Sequence, residues 1–162
     1  MVDEDAGTPI YELHSYIHSR GMGLEMKTLH LLKQARAYKI EVWWRHREII
    51  DDFSKEYNTL YDDYVGYSKY VSGYVRMCAD PWSRDEENNV ERKDVNTLST
   101  LNISSTSLME QRDWLKMLFT DISNQINNLN HDLNNALINW LAGFSLFVAF
   151  VSLVVSLVAL VK

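Results

Sequence analysis

A chain of 162 residues has room for one domain and an anchor. Its formal charge of −6 and pI near 5.3 argue against general nucleic-acid binding, which needs a cationic excess, and no nucleic-acid partner is expected. Two prolines and six glycines leave few breakers, which predicts an all-α fold, and the single cysteine cannot form an internal disulfide.

Residues 1–8 are polar, and Thr8-Pro9 then offers an N-cap with proline in the first helical turn. A short helix is expected to about Ser19, with Gly21 and Gly23 as its break, so that 1–23 form the first unit. The opening MVDEDAGTPIYELHSY has no basic start followed by an apolar run and does not read as a secretory signal. His14 and His18 lie four apart and could meet one metal ion, but no third ligand follows at a readable spacing. The plainer reading is helix surface, and no cofactor is expected. Gly21-Met22-Gly23 lacks the GK[ST] of a phosphate loop.

Residues 24–78 read as one long helix. Ile50, Phe53, Tyr57, Leu60, Tyr64, Tyr67, Val71, Tyr74 and Cys78 alternate spacings of three and four, a heptad seam with Cys78 as a small apolar member. Within this helix the cations Lys27, Lys33, Arg36, Lys39, Arg45 and Arg47 precede the acids Glu48, Asp51, Asp52, Glu56, Asp62 and Asp63. A bend or splay is expected near residues 36–44, because a straight helix would drive charges into lipid.

Residues 79–95, ADPWSRDEENNVERKDV with Ala79 first, form a charged, solvent-exposed loop where a cytosolic protein partner could dock. After it Leu98, Leu101, Ser105, Leu108, Arg112, Leu115, Phe119, Ile122, Ile126, Leu129, Leu133, Ala136 and Trp140 continue the alternation, so 96–136 read as a stalk helix. The two seams predict a long antiparallel, coiled-coil-like hairpin whose second helix continues into a single transmembrane helix. Arg112 sits at a seam position, either snorkelling outward or meeting Asp62 or Asp63.

Residues 137–162 carry no charge before Lys162, and Leu141 to Val161 is long enough to cross a bilayer at about 20 residues per crossing. A single-pass, tail-anchored membrane protein with its N-terminal region cytosolic is expected, the lipid bilayer being its first partner. Counting back from the loop brings Trp43 and Trp44 level with Leu133, which predicts a membrane-surface contact made by Arg36, Lys39, Trp43, Trp44, Arg45, Arg47 and Trp140. The tryptophans could equally pack in the bundle core.

Opposite the hydrophobic seam runs a second stripe. Asn124, Asn128, His131, Asn135, Ala142, Ser145, Ala149, Ser152, Ser156 and Ala159 are all polar or small, with Asp121 above them and Ile138 interrupting. Small residues let membrane helices approach, and serine hydroxyls can bond between them or to their own backbone. The stripe predicts a homo-oligomer; copies that turned it inward around a wet axis would make an ion-conducting pore.

A heptad helix leading into a C-terminal anchor, with Arg112 among apolar layers, resembles the SNARE fusion proteins, although here the chain upstream of Leu98 has become the charged loop. A helical hairpin feeding a stalk into a membrane resembles the architecture of CorA-type ion channels, without their Gly-Met-Asn motif or second membrane helix. No residue role is carried over from either. His, Asp and Ser are not arranged as nucleophile and base, so catalysis is not expected. The reading is a self-assembling single-pass membrane protein, with a tethered helical adaptor as the alternative.

Overall fold

The computed structural model describes residues 10–40, 46–80, 82–84, 90–92 and 95–160. Helix α1 spans Ile10–Ala37, α2 Arg47–Ala79 and α3 Val95–Leu160. Between α2 and α3 the strands β1, Trp82–Arg84, and β2, Val90–Arg92, pair antiparallel with Trp82 opposite Arg92 and Arg84 opposite Val90. The all-α expectation holds, and this small ribbon stands within the expected 79–95 loop.

The hairpin of α2 and α3 follows the predicted seams. Ile50, Leu60, Tyr64, Tyr67, Val71, Tyr74 and Cys78 of α2 are buried, as are Leu101, Ser105, Leu108, Leu115, Phe119, Ile122, Ile126 and Leu129 of α3. Each fully buried large side chain contributes on the order of 1.5–3 kcal/mol by leaving water, which is why the alternation survives from sequence to packing. Helix α2 ends where Asp80 turns extended at φ −70° and ψ 119°, the conformation that the following Pro81 imposes on its predecessor.

Two boundaries differ from expectation. Helix α1 runs straight through Gly21 and Gly23, and the break falls instead between Ala37 and Arg47, where a bend was anticipated. The chain reverses there completely, so the stretch expected as one helix over 24–78 becomes two, and α1 folds back along the hairpin as a third member of the bundle. Ile17, Leu24, Leu31, Leu32 and Ala35 supply its buried face. The physical reason lies at Gly21. A Cβ there would stand 2.5 Å from Gln111 Oε1 and 2.8 Å from the Tyr67 hydroxyl, so the glycine permits a close helix crossing and the packing offsets its poor helix propensity.

Contacts along α1 fix its direction. Gln111 Nε2 donates to the His18 carbonyl at 3.5 Å, Trp114 Nε1 to Glu25 Oε1 at 2.8 Å, and Gln125 Nε2 to the Ala35 carbonyl at 3.4 Å. Helix α1 is therefore parallel to α3 and antiparallel to α2. The 66 residues of α3 make a rod of about 99 Å at 1.5 Å per residue. Its first half is packed, while every residue from Ile138 to Leu160 is exposed. Among the described residues this is the one helix long and apolar enough to span a membrane.

Candidate functional site

A groove runs between α2 and α3, on the side of the hairpin that α1 leaves uncovered. It has a volume of about 620 Å³ and a floor of Tyr57, Tyr61, Tyr64 and Phe119. Tyr57 and Tyr61 stack one turn apart, with ring centroids at 5.9 Å, and Phe119 meets Tyr61 edge-on at 5.6 Å. Lys69, Arg112, Asp113 and Lys116 line it as well, giving three cations and one carboxylate in a chain whose net charge is −6. Arg112 is only half-buried and pairs with its neighbour Asp113 at 2.9 Å, so neither Asp62 nor Asp63 is its partner.

Behind the groove the hairpin is closed by a polar bridge. Tyr67 donates to Gln111 Oε1 at 2.9 Å, and burial pushes the Tyr67 phenol up to about 12, the Arg112 charge opposing that shift. Tyr64 is raised for the same first reason. Both hydroxyls thus remain neutral donors or acceptors at neutral pH.

Helix α1 and α2 enclose a second trough of about 460 Å³, lined by Leu13, Ile17, Gly66, Lys69, Tyr70, Gly73, Tyr74 and Met77. The His14 ring lies 5.8 Å from that of Tyr74 and stacks on His18 with ring centroids at 6.0 Å, both histidines being half-buried rather than on the open helix surface. His14 Nε2 and His18 Nδ1 are buried without a hydrogen-bond partner. Burial and the adjacent His18 hold His14 below its ordinary imidazole value, opposed by a hydrogen bond with the Ser104 backbone. Among the described residues no group of three or more His, Cys, Asp or Glu side chains is placed to hold a metal ion. Cys78 is a buried free thiol.

The polar stripe divides at the end of the bundle. Asn124 borders the open groove, Asn128 and His131 are exposed, and Asn135 bonds His131 within the helix at 3.0 Å. Ala142, Ser145, Ala149, Ser152, Ser156 and Ala159 lie on the exposed apolar half of α3. The Ser152 hydroxyl donates to the Val148 carbonyl and the Ser156 hydroxyl to the Ser152 carbonyl, both at 2.9 Å, so these two groups are satisfied within their own helix.

The cations expected at the membrane surface are spread by the folding back of α1. Arg20 sits over the Tyr70 ring at 5.1 Å, high in the bundle, and Arg36 pairs with Asp121 at 3.4 Å. Asp121 precedes Trp140 by 19 residues, about 28 Å along α3. On an upright helix Arg36 therefore stands several Debye lengths, each about 8 Å, from lipid. Lys39 is exposed just beyond α1, Arg47 is the exposed first residue of α2, and Trp140 stacks on Phe144 at 5.5 Å where the apolar half begins. Trp43, Trp44 and Arg45 lie outside the described residues.

Sequence reasoning missed the aromatic groove because only one seam was traced along α2. The signal was present as a second row, Tyr57, Tyr61 and Val65, at spacings of four on the flank of the first. No protein family, curated protein or solved structure matches the chain.

Proposed function

We propose that this is a non-catalytic, single-pass membrane protein whose helical head is held on a rigid stalk and whose copies assemble side by side. The observation that carries the reading is the continuity of α3. The same helix walls the head groove and supplies the apolar span, with no break between Val95 and Leu160. A head fixed in this way cannot turn independently of its membrane helix, so any partner that binds one end orients the other. A cytosolic head is part of this reading: the exposed Lys39 and Arg47 stand at the end of the bundle nearest the span, beside Glu48, Asp51 and Asp52, and cations there are attracted to an anionic inner leaflet.

The pore form of this reading requires at least three copies around a wet axis. The internal bonding of Ser152 and Ser156 makes it the weaker form, because those hydroxyls already have acceptors. The adaptor reading is supported by the β-ribbon, which places an ordered polar element at the end of the hairpin far from the membrane span. Counting subunits of the full chain in lipid nanodiscs separates these forms. A dimer is expected; three or more copies revive the pore, and a strict monomer leaves only the tethered adaptor.

A further inference from the structure

The groove between α2 and α3 is where the fourth helix of a four-helix bundle would lie, and its charge pattern identifies the occupant. It is not simply basic. Lys69, Arg112 and Lys116 stand with Asp113 around the aromatic floor, and Asp62, next to Tyr61 in the chain, is exposed on α2 outside the lining itself. Among the described residues Lys69, Lys116 and Asp62 take part in no ion pair. A surface carrying both signs in this way is suited to a partner with the same pattern rather than to a uniformly acidic one.

The register of the hairpin sets the heights of these charges. Tyr61 meets Phe119 and Tyr67 meets Gln111, so Asp62 on α2 stands level with Lys116 on α3. Two copies anchored in one bilayer stand at equal height. A two-fold axis parallel to α3 then sets α2 of one copy against α3 of the other, the self-complementary arrangement of an isologous contact.

A second observation, made in the membrane half, selects the same face. Asp113, Lys116, Thr120 and Ser123 line the groove, and Ala149, Ser152, Ser156 and Ala159 each follow one of them by 36 residues. At 3.6 residues per turn that is about ten whole turns, so on a straight helix the small-residue face of the span lies directly below the groove. Small residues are what allow two membrane helices to approach closely.

We propose that the α2–α3 groove is closed by the same groove of a second copy, in a parallel two-fold dimer whose aromatic floors pack together and whose Asp62 faces the partner's Lys116. The proposal rests on the side-by-side assembly above and names the surface that makes it. The two tryptophan-poor, tyrosine-rich floors become the core of a joint bundle of four helices, α2 and α3 from each copy, with both α1 helices outside. The small-residue faces of the spans meet beneath it.

The test uses the full chain in nanodiscs or mild detergent, with dimer dissociation followed by single-molecule mass measurement on dilution. Both charged residues are exposed, so Lys116→Glu and Asp62→Lys should leave the helical circular dichroism unchanged. Each is expected to raise the dissociation constant about tenfold or more, because like charges then oppose each other at two symmetric places. The double variant restores opposite signs and is expected to recover most of the affinity. A dimer whose affinity neither single change alters, or whose loss the double variant does not rescue, overturns the groove contact while leaving assembly through the span intact. A full chain that remains monomeric at all concentrations overturns both.

Discussion

Tyr67 on α2 donates to Gln111 on α3 directly against the α-carbon of Gly21 on α1, so one hydrogen bond of 2.9 Å sits where all three helices meet. Gln111 also reaches the His18 carbonyl of α1. The bridge therefore joins the hairpin to the returning helix, and its environment has no room for even a methyl group.

Gly21→Ala is expected to destabilise the bundle by about 1–3 kcal/mol, the cost of overpacking, because the Gln111 side chain it would displace is held at both ends. Gly23→Ala, two residues on, meets nothing within 4 Å and is expected to stabilise by about 0.5–1 kcal/mol through helix propensity. Denaturant midpoints of the two variants measure the contrast. Equal effects of the same sign would refute the close crossing at Gly21.

Tyr67→Phe removes the donor and leaves the half-buried Gln111 Oε1 without it, at a cost of about 0.5–1.5 kcal/mol. The pH dependence follows from the raised phenol. The unfolded side chain ionises near 10.0 and the folded one near 12, so stability due to Tyr67 is full below 10.0 and lost as pH rises through that interval. Alkaline melting curves of the phenylalanine variant should therefore fall less steeply than those of the unaltered protein.

His14 predicts a change on the acidic side. Its folded value lies below 6.5, so the unfolded chain takes up the proton first and stability falls as pH drops below 6.5 towards the folded value. Replacing His14 by Gln should shrink the loss of melting temperature between about pH 7.5 and about pH 5.5. An undiminished loss would assign the acid sensitivity to other groups.

The serines of the span allow a separate measurement. Ser145, Ser152 and Ser156 replaced together by Ala keep the size of the face and remove only hydroxyls, two of which are bonded to their own helix. Interhelical hydrogen bonds average about 0.6 kcal/mol in membranes, so the variant is expected to assemble within a few-fold of the original. If the protein conducts ions, the same variant loses flux as its lumen dewets while the assembly persists. Conductance in planar bilayers distinguishes the two outcomes.

Much of the bundle could be read from spacing, since the seams of α2 and α3 are long, unbroken and apolar. Helix α1 could not, because its heptad includes small and polar members. Ile17, Gly21, Leu24, Thr28, Leu31 and Ala35 alternate spacings of four and three, but Gly21 reads as a breaker and Thr28 as surface. Thr28 is buried because its hydroxyl donates to the Leu24 carbonyl at 2.7 Å, which satisfies it inside the core. The same limit hid the groove, whose polar and aromatic residues resemble a solvated flank until a third helix is found to leave that side open. The stripe of α3 was legible, but the partner of each hydroxyl depends on rotamers that spacing does not encode.

The unbroken course of α3 ties head and span together in phase. Each residue added between Asp132 and Trp140 would rotate the groove against the small-residue face by about 100° and lift it by about 1.5 Å, while 18 added residues would restore the angle and change only the height. The stalk thus acts as a vernier, in which length and azimuth are set by one count of residues. A chain built this way can alter which surfaces face one another by inserting a single residue below Leu133, which still packs against the core.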